Sequence, residues 1–172
     1  MASLVAVFGE DRIQAEVAVA AEKVSADYQG RDLVLVGVLM GAFIFLADLA
    51  RKLTIPASMD FVRVSSYGLR TESGGGIRLC QDVTLDLAGK DVLLVEDIVD
   101  TGLTVAFLME HFRGLGARTV RLCALIDKSE RREMAVAIHY RCLSVSQGFL
   151  VGYGLDYAEK YRGLPGIYSL KP

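Results

Sequence analysis

Hydrophobic positions recur along the chain with two different spacings, and these spacings predict helices that alternate with strands. A helix from about residue 11 to 28 is expected, because five apolar residues fall on one of its faces: Ile13, Val17, Ala20, Ala21 and Val24. Continuous apolar runs at 33–38 and 92–95 are typical of parallel strands that are covered on both faces. The two spacings together indicate a layered protein of the α/β class.

The same alternation continues to the end of the chain. Further helices are expected within 41–55 and from about 101 to 114. Further strands are predicted at 59–64, 77–83, 119–126, within 135–145, and at 149–153, the last one as a core strand. The segment 65–76 has no apolar period and contains three successive glycines, which predicts a mobile loop at the tip of a hairpin. We therefore expect one domain over residues 1–172, built on a doubly wound, mostly parallel sheet flanked by helices.

Composition narrows the class of the protein. The chain has 172 residues, is 52% hydrophobic and carries a net charge of −2 without a block of basic residues, so the electrostatic footprint of a nucleic-acid binder is missing. The longest uncharged run, Leu33–Ala47, is shorter than the roughly 20 residues of a membrane-spanning helix. Cys80, Cys123 and Cys142 lack CxxC spacing and are predicted to be reduced core residues of a cytosolic protein.

Candidate chemistry appears where the apolar run at 92–95 ends. Two adjacent carboxylates, Glu96 and Asp97, follow the run, and a loop of small residues then opens a helix near Thr101. The start of a helix offers free N–H groups to an anion. Carboxylates beside an anion repel it unless hydroxyl groups or a cation lie between them. The junction therefore predicts a phosphorylated sugar, with its phosphate on the loop and its hydroxyls on the carboxylates. A buried strand with a solvated acidic end is the alternative interpretation.

This junction, EDIVDTGLT, resembles the signature of the phosphoribosyltransferases that use phosphoribosyl pyrophosphate (PRPP). Four other segments resemble counterparts in the bacterial hypoxanthine-guanine members of that family, in the same order and spacing: VGVLMGAF from Val36, SSYG from Ser65, LIDKSERR from Leu125 and FLVGYGLDYAEKYRGLP from Phe149. The resemblance covers most of the chain. It implies a type I phosphoribosyltransferase-like fold with a flexible hairpin loop and a small hood formed by terminal segments.

The resemblance also implies an activity in purine salvage. The expected reaction moves the 5-phosphoribosyl group from PRPP to N9 of hypoxanthine or guanine, giving IMP or GMP and pyrophosphate, with Mg²⁺ as cofactor. The expected protein is a cytoplasmic homodimer or homotetramer that binds neither nucleic acid nor membranes. Two alternatives remain open: a regulator of the same fold that senses PRPP or nucleotides, and an enzyme that prefers xanthine.

Several roles follow for the residues after the apolar run. Glu96 and Asp97 match the acidic pair that faces the ribose 2′- and 3′-hydroxyls. The loop that binds the 5′-phosphate is matched by Asp100, Thr101, Gly102, Leu103 and Thr104. Asp100 also matches the carboxylate near purine N7 and is the predicted general base. The alternative role of Asp100 is to cap the following helix, and the two roles are not exclusive.

Pyrophosphate binding is implied for two further segments. Leu39, Met40 and Gly41 match a loop that holds pyrophosphate through backbone amides, often across a non-proline cis peptide. Many members have a basic residue where this chain has Met40, so only the backbone role carries over. Arg162 matches an arginine that binds pyrophosphate. For Gly41, an ordinary strand-to-helix turn is the alternative.

Ser66 and Tyr67 match the tip of a flexible loop that covers the site during the reaction. Excluding water matters because the activated ribose would otherwise be hydrolysed. The alternative is a hairpin tip without such a role.

Base recognition is implied for the last third of the chain. Lys128 matches a lysine that donates to the purine 6-oxo group, Phe149 an aromatic residue that stacks on the base, and Leu150 a position whose backbone meets the purine edge. Asp156 matches the carboxylate of the Mg²⁺ and pyrophosphate shell and is also assigned to purine binding. The predicted metal ligands are Glu96, Asp97 and Asp156. The alternatives are a solvated charged turn around Lys128 and a core position for Phe149.

Overall fold

A computed structural model describes residues 3–66 and 76–171. The helices in these ranges are α1 (Glu10–Asp27), α2 (Phe43–Lys52) and α3 (Leu103–Gly114). The strands are β1 (Ser3–Phe8), β2 (Leu33–Leu39), β3 (Ser58–Ser66), β4 (Ile77–Gln81), β5 (Asp91–Val99), β6 (Thr119–Lys128), β7 (Tyr140–Val145), β8 (Leu150–Val151) and β9 (Ile167–Lys171).

Six strands form the main sheet in the order β4-β3-β2-β5-β6-β7. Each pair of neighbours is parallel except β3 and β4, which form the antiparallel hairpin that the sequence predicts. The predicted doubly wound, mostly parallel sheet is therefore confirmed. Because parallel strands end at the same edge, the loops that follow β2, β5 and β6 lie side by side, where sites in such sheets form.

Helices cover both faces of this sheet. In the central strands, Leu35 and Leu93 pack into one core together with α1 and α2, whereas Val36 and Leu94 pack into a second core with α3. Neighbouring residues of a strand point to opposite faces, so continuous apolar runs are what two covered faces require. The five apolar residues predicted for one face of α1 are all buried in the first core.

A second, three-stranded antiparallel sheet has the order β1-β9-β8 and joins both ends of the chain. It corresponds to the predicted hood of terminal segments. The core strand predicted at 149–153 is confirmed only for Leu150–Val151, whose side chains are both buried, and it pairs with β9 instead of joining the main sheet. Gly148 and Gly152, with φ of 108° and 99°, turn the chain on either side of this short strand.

The cysteine prediction is correct for two of the three residues. Cys123 and Cys142 are buried free thiols, but Cys80 is exposed. Cys80 lies on β4, an edge strand with a mostly solvent-facing burial pattern, so its apolar sequence context did not indicate burial. None of the helices within 3–66 and 76–171 is long and apolar enough to cross a bilayer.

Asp91 anchors the start of β5 at the edge of the sheet opposite the predicted site. Its carboxylate is fully buried and accepts hydrogen bonds from Arg118 Nε (3.1 Å) and Thr119 Oγ1 (2.6 Å). The Arg118 hydrogen bond, and then that of Thr119, hold the pKa of Asp91 below its ordinary value. A carboxylate with a lowered folded-state pKa stabilises the fold above its unfolded pKa of about 4, and this contribution is lost as the pH falls.

Asp91→Asn is therefore expected to lower the free energy of unfolding at pH 7 by about 2 kcal/mol, because the charged hydrogen bonds are lost. The difference in the free energy of unfolding between the variant and the unchanged protein should be smaller at pH 3 than at pH 7. Urea unfolding at both pH values measures it, with the exposed Asp11→Asn as control. An equal difference at both pH values would contradict the role of the carboxylate charge.

Candidate active site

Strand β5 carries the acidic pair that the sequence singles out. The predicted end of the strand at Glu96 is too early, because Ile98 and Val99 still pair with Ile126 and Asp127 of β6. Backbone pairing with β6 continues regardless of the polarity of the side chains. Glu96 is only 6% exposed, so its carboxyl group lies inside the protein rather than in solvent. The alternative of a solvated acidic strand end does not describe this residue.

Burial raises the pKa of Glu96 well above its ordinary value, and the neighbouring Asp97 carboxylate raises it further. Burial also raises the pKa of Asp97, although hydrogen bonds from Glu96 and from the Ile98 amide act in the opposite direction. Hydroxyl groups or a cation placed against the two carboxyl groups would relieve their repulsion. The pair is thus suited to a polyhydroxylated or metal-bearing ligand.

A cleft of about 200 Å³ opens beside Glu96 at the end of β5. Its lining comes from the ends of β2 and β5 and the start of α3: Val38, Glu96, Ile98, Val99, Asp100, Thr101, Gly102, Thr104 and Val105. Helix α3 begins at Leu103, slightly later than predicted, and its N-cap Gly102 has a φ of 85° and no side-chain capping bond. In the first turn the Leu103 amide donates to Thr101 Oγ1 (3.4 Å), and the amides of Thr104 and Val105 are left for an anion.

Asp100 lies between this cleft and the C-terminal end of β6. Its Oδ2 accepts a hydrogen bond from Arg131 Nε (3.1 Å) and lies 3.7 Å from Lys128 Nζ. Its Oδ1 is buried and accepts no hydrogen bond from the described residues. The alternative role as helix cap is not observed, because Gly102 occupies the N-cap position. The buried Oδ1 of this half-buried carboxylate thus remains available to a hydrogen-bond donor.

Lys128 ends β6 and is only 7% exposed. Its ammonium group lies between two carboxylates, 3.7 Å from Asp100 Oδ2 and 3.4 Å from Glu130 Oε2. The alternative of a solvated turn fits Glu130 and Arg131, which are exposed, but not Lys128. A buried lysine at the end of a parallel strand is a donor directed into the site.

A second cleft, of about 190 Å³, adjoins the first one. It is lined by Ile98, Asp100, Lys128, Arg131, Gly148, Phe149, Leu150, Leu155 and Asp156. Phe149 is 51% exposed and packs edge-on against Tyr157, so it is not a core residue. Ile98 and Asp100 line both clefts. The structure thus gathers the four predicted base-binding residues around a space that meets the first cleft at Asp100.

The predicted pyrophosphate loop follows β2. The peptide bond between Leu39 and Met40 is cis, as the sequence resemblance implies. Gly41 touches the acidic pair so closely that a Cβ atom there would lie 1.7 Å from Asp97 Oδ2. A Cβ at Gly154 would lie 2.0 Å from the Gly41 carbonyl oxygen. The loop is therefore enclosed between β5 and the chain that follows β8, with Met40 44% exposed at its tip.

Arg162 and Asp156 lie at the far side of this loop. Arg162 Nη1 donates to the Gly154 carbonyl (2.8 Å), and its Nη2 lies 3.0 Å from Asp156 Oδ1. Arg162 Nε is buried and donates to no acceptor among the described residues. Within 3–66 and 76–171, no three His, Cys, Asp or Glu side chains are close enough to hold a metal ion. Glu96, Asp97 and Asp156 therefore do not form one three-ligand group.

The predicted covering loop lies largely outside the described residues. Ser66 ends β3 opposite Ile77 of β4. Tyr67 falls outside the described part of the chain. Of the two strands that flank the loop, β3 pairs with β2 and β4 pairs with β3 at the edge of the sheet.

Two features of the site have no counterpart in the sequence analysis. Tyr153 Oη donates to the buried Asp48 of α2 at 2.5 Å, which ties the chain after β8 to the helix that follows the pyrophosphate loop. Arg132 donates to backbone carbonyls at the ends of β5 and β6. The contacts of Tyr153 with Asp48 and of Arg132 with Val99 join residues distant in sequence, and no local pattern around Tyr153 or Arg132 would indicate these partners.

Comparison with known proteins agrees with this arrangement. Residues 9–158 match the model of the phosphoribosyl transferase domain. The hypoxanthine-guanine phosphoribosyltransferase of Mycobacterium tuberculosis is 41% identical over 168 residues, which cover 94% of this chain and 83% of that protein. The Bacillus subtilis protein of the same name is 40% identical over 163 residues, covering 95% of this chain and 91% of its own.

Solved structures give the same result. A hypoxanthine phosphoribosyltransferase from Staphylococcus aureus superposes with a TM-score of 0.92 at 37% identity, covering 97% of this chain and 91% of its own. A hypoxanthine-guanine phosphoribosyltransferase from Bacillus anthracis gives 0.92 at 35% identity, with 99% and 100% covered. With its fold, its acidic strand end and its sequence all in agreement, the chain belongs to the phosphoribosyl transferase family.

Proposed function

We propose that this chain transfers the 5-phosphoribosyl group from PRPP to N9 of hypoxanthine or guanine, giving IMP or GMP and pyrophosphate. The observation that carries the proposal is the meeting of two clefts at Asp100, one beside the acidic pair and the start of α3, the other between Lys128 and Phe149. A sugar phosphate fits the first cleft and a flat base with a carbonyl group the second. The relatives named above support the same reaction.

The first cleft would hold the phosphoribosyl group. The amides and hydroxyls at 101–104 would bind the 5′-phosphate. Glu96 and Asp97 would face the ribose hydroxyls. As the bond from C1′ to pyrophosphate breaks, positive charge develops on the ribose, and nearby carboxylates stabilise it. The backbone of 39–41 and the Arg162 guanidinium would hold the departing pyrophosphate.

Asp100 would act as general base. N9 of the purine forms the new bond to C1′, and the proton that the purine must lose passes from N7 to Asp100. The free Oδ1 supports this role, because the other oxygen is already held by Arg131. A buried acceptor without a partner gains from the arrival of an N–H donor.

Mg²⁺ is the proposed cofactor, with Glu96, Asp97 and Asp156 as its candidate carboxylates. Mg²⁺ typically takes one or two protein carboxylates together with substrate phosphates and water, so a site without a three-carboxylate cluster fits its chemistry. When bound, the ion would neutralise charge on the pyrophosphate. The raised pKa values of Glu96 and Asp97 reflect a pair that a cation would stabilise in its charged form.

We also propose that residues 1–172 form one domain and that the protein acts in the cytoplasm as a homodimer or homotetramer. The free, buried thiols of Cys123 and Cys142 support a reducing compartment. Sedimentation of the purified protein tests the assembly, and a monomer at micromolar concentration would contradict it.

Nucleotide formation from PRPP and Mg²⁺ with hypoxanthine, guanine, xanthine and adenine, each followed by absorbance, tests the reaction. Hypoxanthine and guanine are expected to give IMP and GMP, and adenine no product. If adenine were the only base that gave a nucleotide, the proposal would be overturned. Xanthine as the fastest substrate would support the alternative of a xanthine-preferring enzyme.

Lys128→Met is expected to lower kcat/KM for hypoxanthine and guanine roughly 10- to 100-fold, because the charged donor to the 6-oxo group is lost. Adenine has no 6-oxo group, so discrimination against it should weaken. Steady-state kinetics with each base measures the effect, and Lys23→Met on the exposed surface of α1 is the matched control. Unchanged base selectivity in Lys128→Met would show that this lysine does not read the purine.

A further inference from the structure

Three consecutive carbonyl groups between β5 and α3, those of residues 99–101, point toward the segment that follows β6. Arg132 Nη2 donates to Val99 O (3.0 Å) and its Nε to Asp100 O (2.8 Å). The backbone N–H groups of Glu133 and Met134 both donate to Thr101 O, each at 2.9 Å. The residues 129–134, here called the strap, thus hold every carbonyl group from position 99 to 101.

Because the carbonyl groups of the loop are fixed on one side, the directions of its N–H groups on the other side are fixed as well. In a trans peptide the carbonyl group of one residue and the N–H of the next point in opposite directions. The N–H groups of Asp100, Thr101 and Gly102 therefore point away from the strap. Residues 100–102 line the first cleft, and no hydrogen bond among the described residues uses the N–H of Thr101 or Gly102. Successive N–H groups directed to one point form an anion-binding nest.

Contact between strap and loop continues to Gly102. A Cβ atom at Gly102 would lie 2.5 Å from Met134 O and 3.3 Å from Arg132 Cδ. The φ of 85° at Gly102 turns the chain into α3 at this point. The strap therefore lies against the loop along its whole length, and the loop cannot shift without breaking these contacts.

Arg132 is itself fixed from the opposite side. Its Nη2 also donates to Asp127 Oδ1 (2.6 Å) and to Lys128 O (3.2 Å), and its side chain is 22% exposed. A planar guanidinium can serve acceptors in several fixed directions, whereas a lysine ammonium is a single point of charge. One side chain thus connects the ends of β5 and β6 with the loop.

We propose that Arg132 is a positioning residue, which aims the amides of the 100–102 loop at the 5′-phosphate without touching the substrate. This inference rests on the proposed function, since it takes the loop as the phosphate site. Removing Arg132 would free the carbonyl groups of Val99 and Asp100 and let their peptides rotate. The binding of phosphate in the loop would weaken, while the pyrophosphate site at 39–41, which Arg132 does not contact, would be unaffected.

Calorimetric titration of Arg132→Lys and Arg132→Gln with ribose 5-phosphate, IMP and inorganic pyrophosphate tests the inference. The affinities for ribose 5-phosphate and IMP are expected to fall on the order of 10- to 100-fold, as the loss of charged hydrogen bonds implies, with pyrophosphate affinity unchanged. Methylguanidine should restore part of the lost affinity in Arg132→Ala. Arg113→Gln, which removes an exposed arginine paired with Glu110 on α3, is the matched control.

Asp127→Asn provides a milder variant should the arginine substitutions fail to fold. It weakens the contact of the Arg132 guanidinium with Asp127. The affinities for ribose 5-phosphate and IMP are expected to fall about threefold, and the pyrophosphate affinity should not change. Equal losses for all three ligands, or no loss for ribose 5-phosphate, would overturn the inference. If the unchanged protein formed no IMP but its affinity for ribose 5-phosphate still depended on Arg132, only the proposed function would be overturned.

Discussion

Asp100→Asn is expected to lower kcat roughly 10²- to 10⁴-fold, the usual contribution of a positioned general base. The amide has nearly the same shape as the carboxylate but cannot accept the purine proton. Its Oδ1 position is buried and receives no hydrogen bond from the described residues, so the substitution changes the group that would meet purine N7. Single-turnover kinetics with saturating PRPP and hypoxanthine measures the effect on the chemical step.

The affinity for PRPP should change little in Asp100→Asn, since the loop binds the phosphate through amides and hydroxyls. The exposed Asp86→Asn is a control for an aspartate outside the site. A kcat equal to that of the unchanged protein would refute the role of Asp100 as base. A loss of PRPP affinity without a change in kcat would assign Asp100 to phosphate binding instead.

Gly41→Ala is expected to lower kcat/KM for PRPP by about 100-fold or more, as a displacement of about 1 Å in a catalytic site does. A Cβ atom at this position would lie 1.7 Å from Asp97 Oδ2 and 2.5 Å from Asp97 Cγ. Either the loop at 39–41 or the Asp97 carboxyl group must therefore move. Both are proposed to bind PRPP, so the loss should appear in pyrophosphate affinity as well as in turnover.

Gly9→Ala is the matched control for this variant, because no atom lies within 4 Å of a Cβ built at Gly9. Titration with pyrophosphate separates a binding defect from unfolding. If Gly41→Ala bound pyrophosphate as tightly as the unchanged protein, the close approach of Gly41 and Asp97 would have no part in binding.

The central part of the fold could be predicted from the sequence because its signals are local. The apolar runs of β2 and β5 indicate strands with both faces covered by helices. The spacing of Ile13, Val17 and Val24 indicates a helix with one buried face. The small sheet could not be derived in this way. Strands β1 and β9 come from opposite ends of the chain, so no turn or local pattern joins them, and only the resemblance indicated a hood.

The candidate site was predictable in part for a similar reason. Glu96, Asp97 and the loop that follows are contiguous, so the chemistry of a sugar phosphate could be derived from them. Lys128 was ambiguous, because its charged neighbours resemble a solvated turn and only the fold shows that it is buried. Arg132 was not identified, since three of its four acceptors are backbone carbonyls, which every residue carries.

A crystal structure of the protein with IMP and pyrophosphate tests the central claim most directly. We expect the 5′-phosphate on the amides at 101–104, purine N7 within hydrogen-bond distance of Asp100, and the 6-oxo group beside Lys128 with Phe149 stacked on the base. A phosphate bound elsewhere, or a purine outside the cleft between Lys128 and Phe149, would contradict the account.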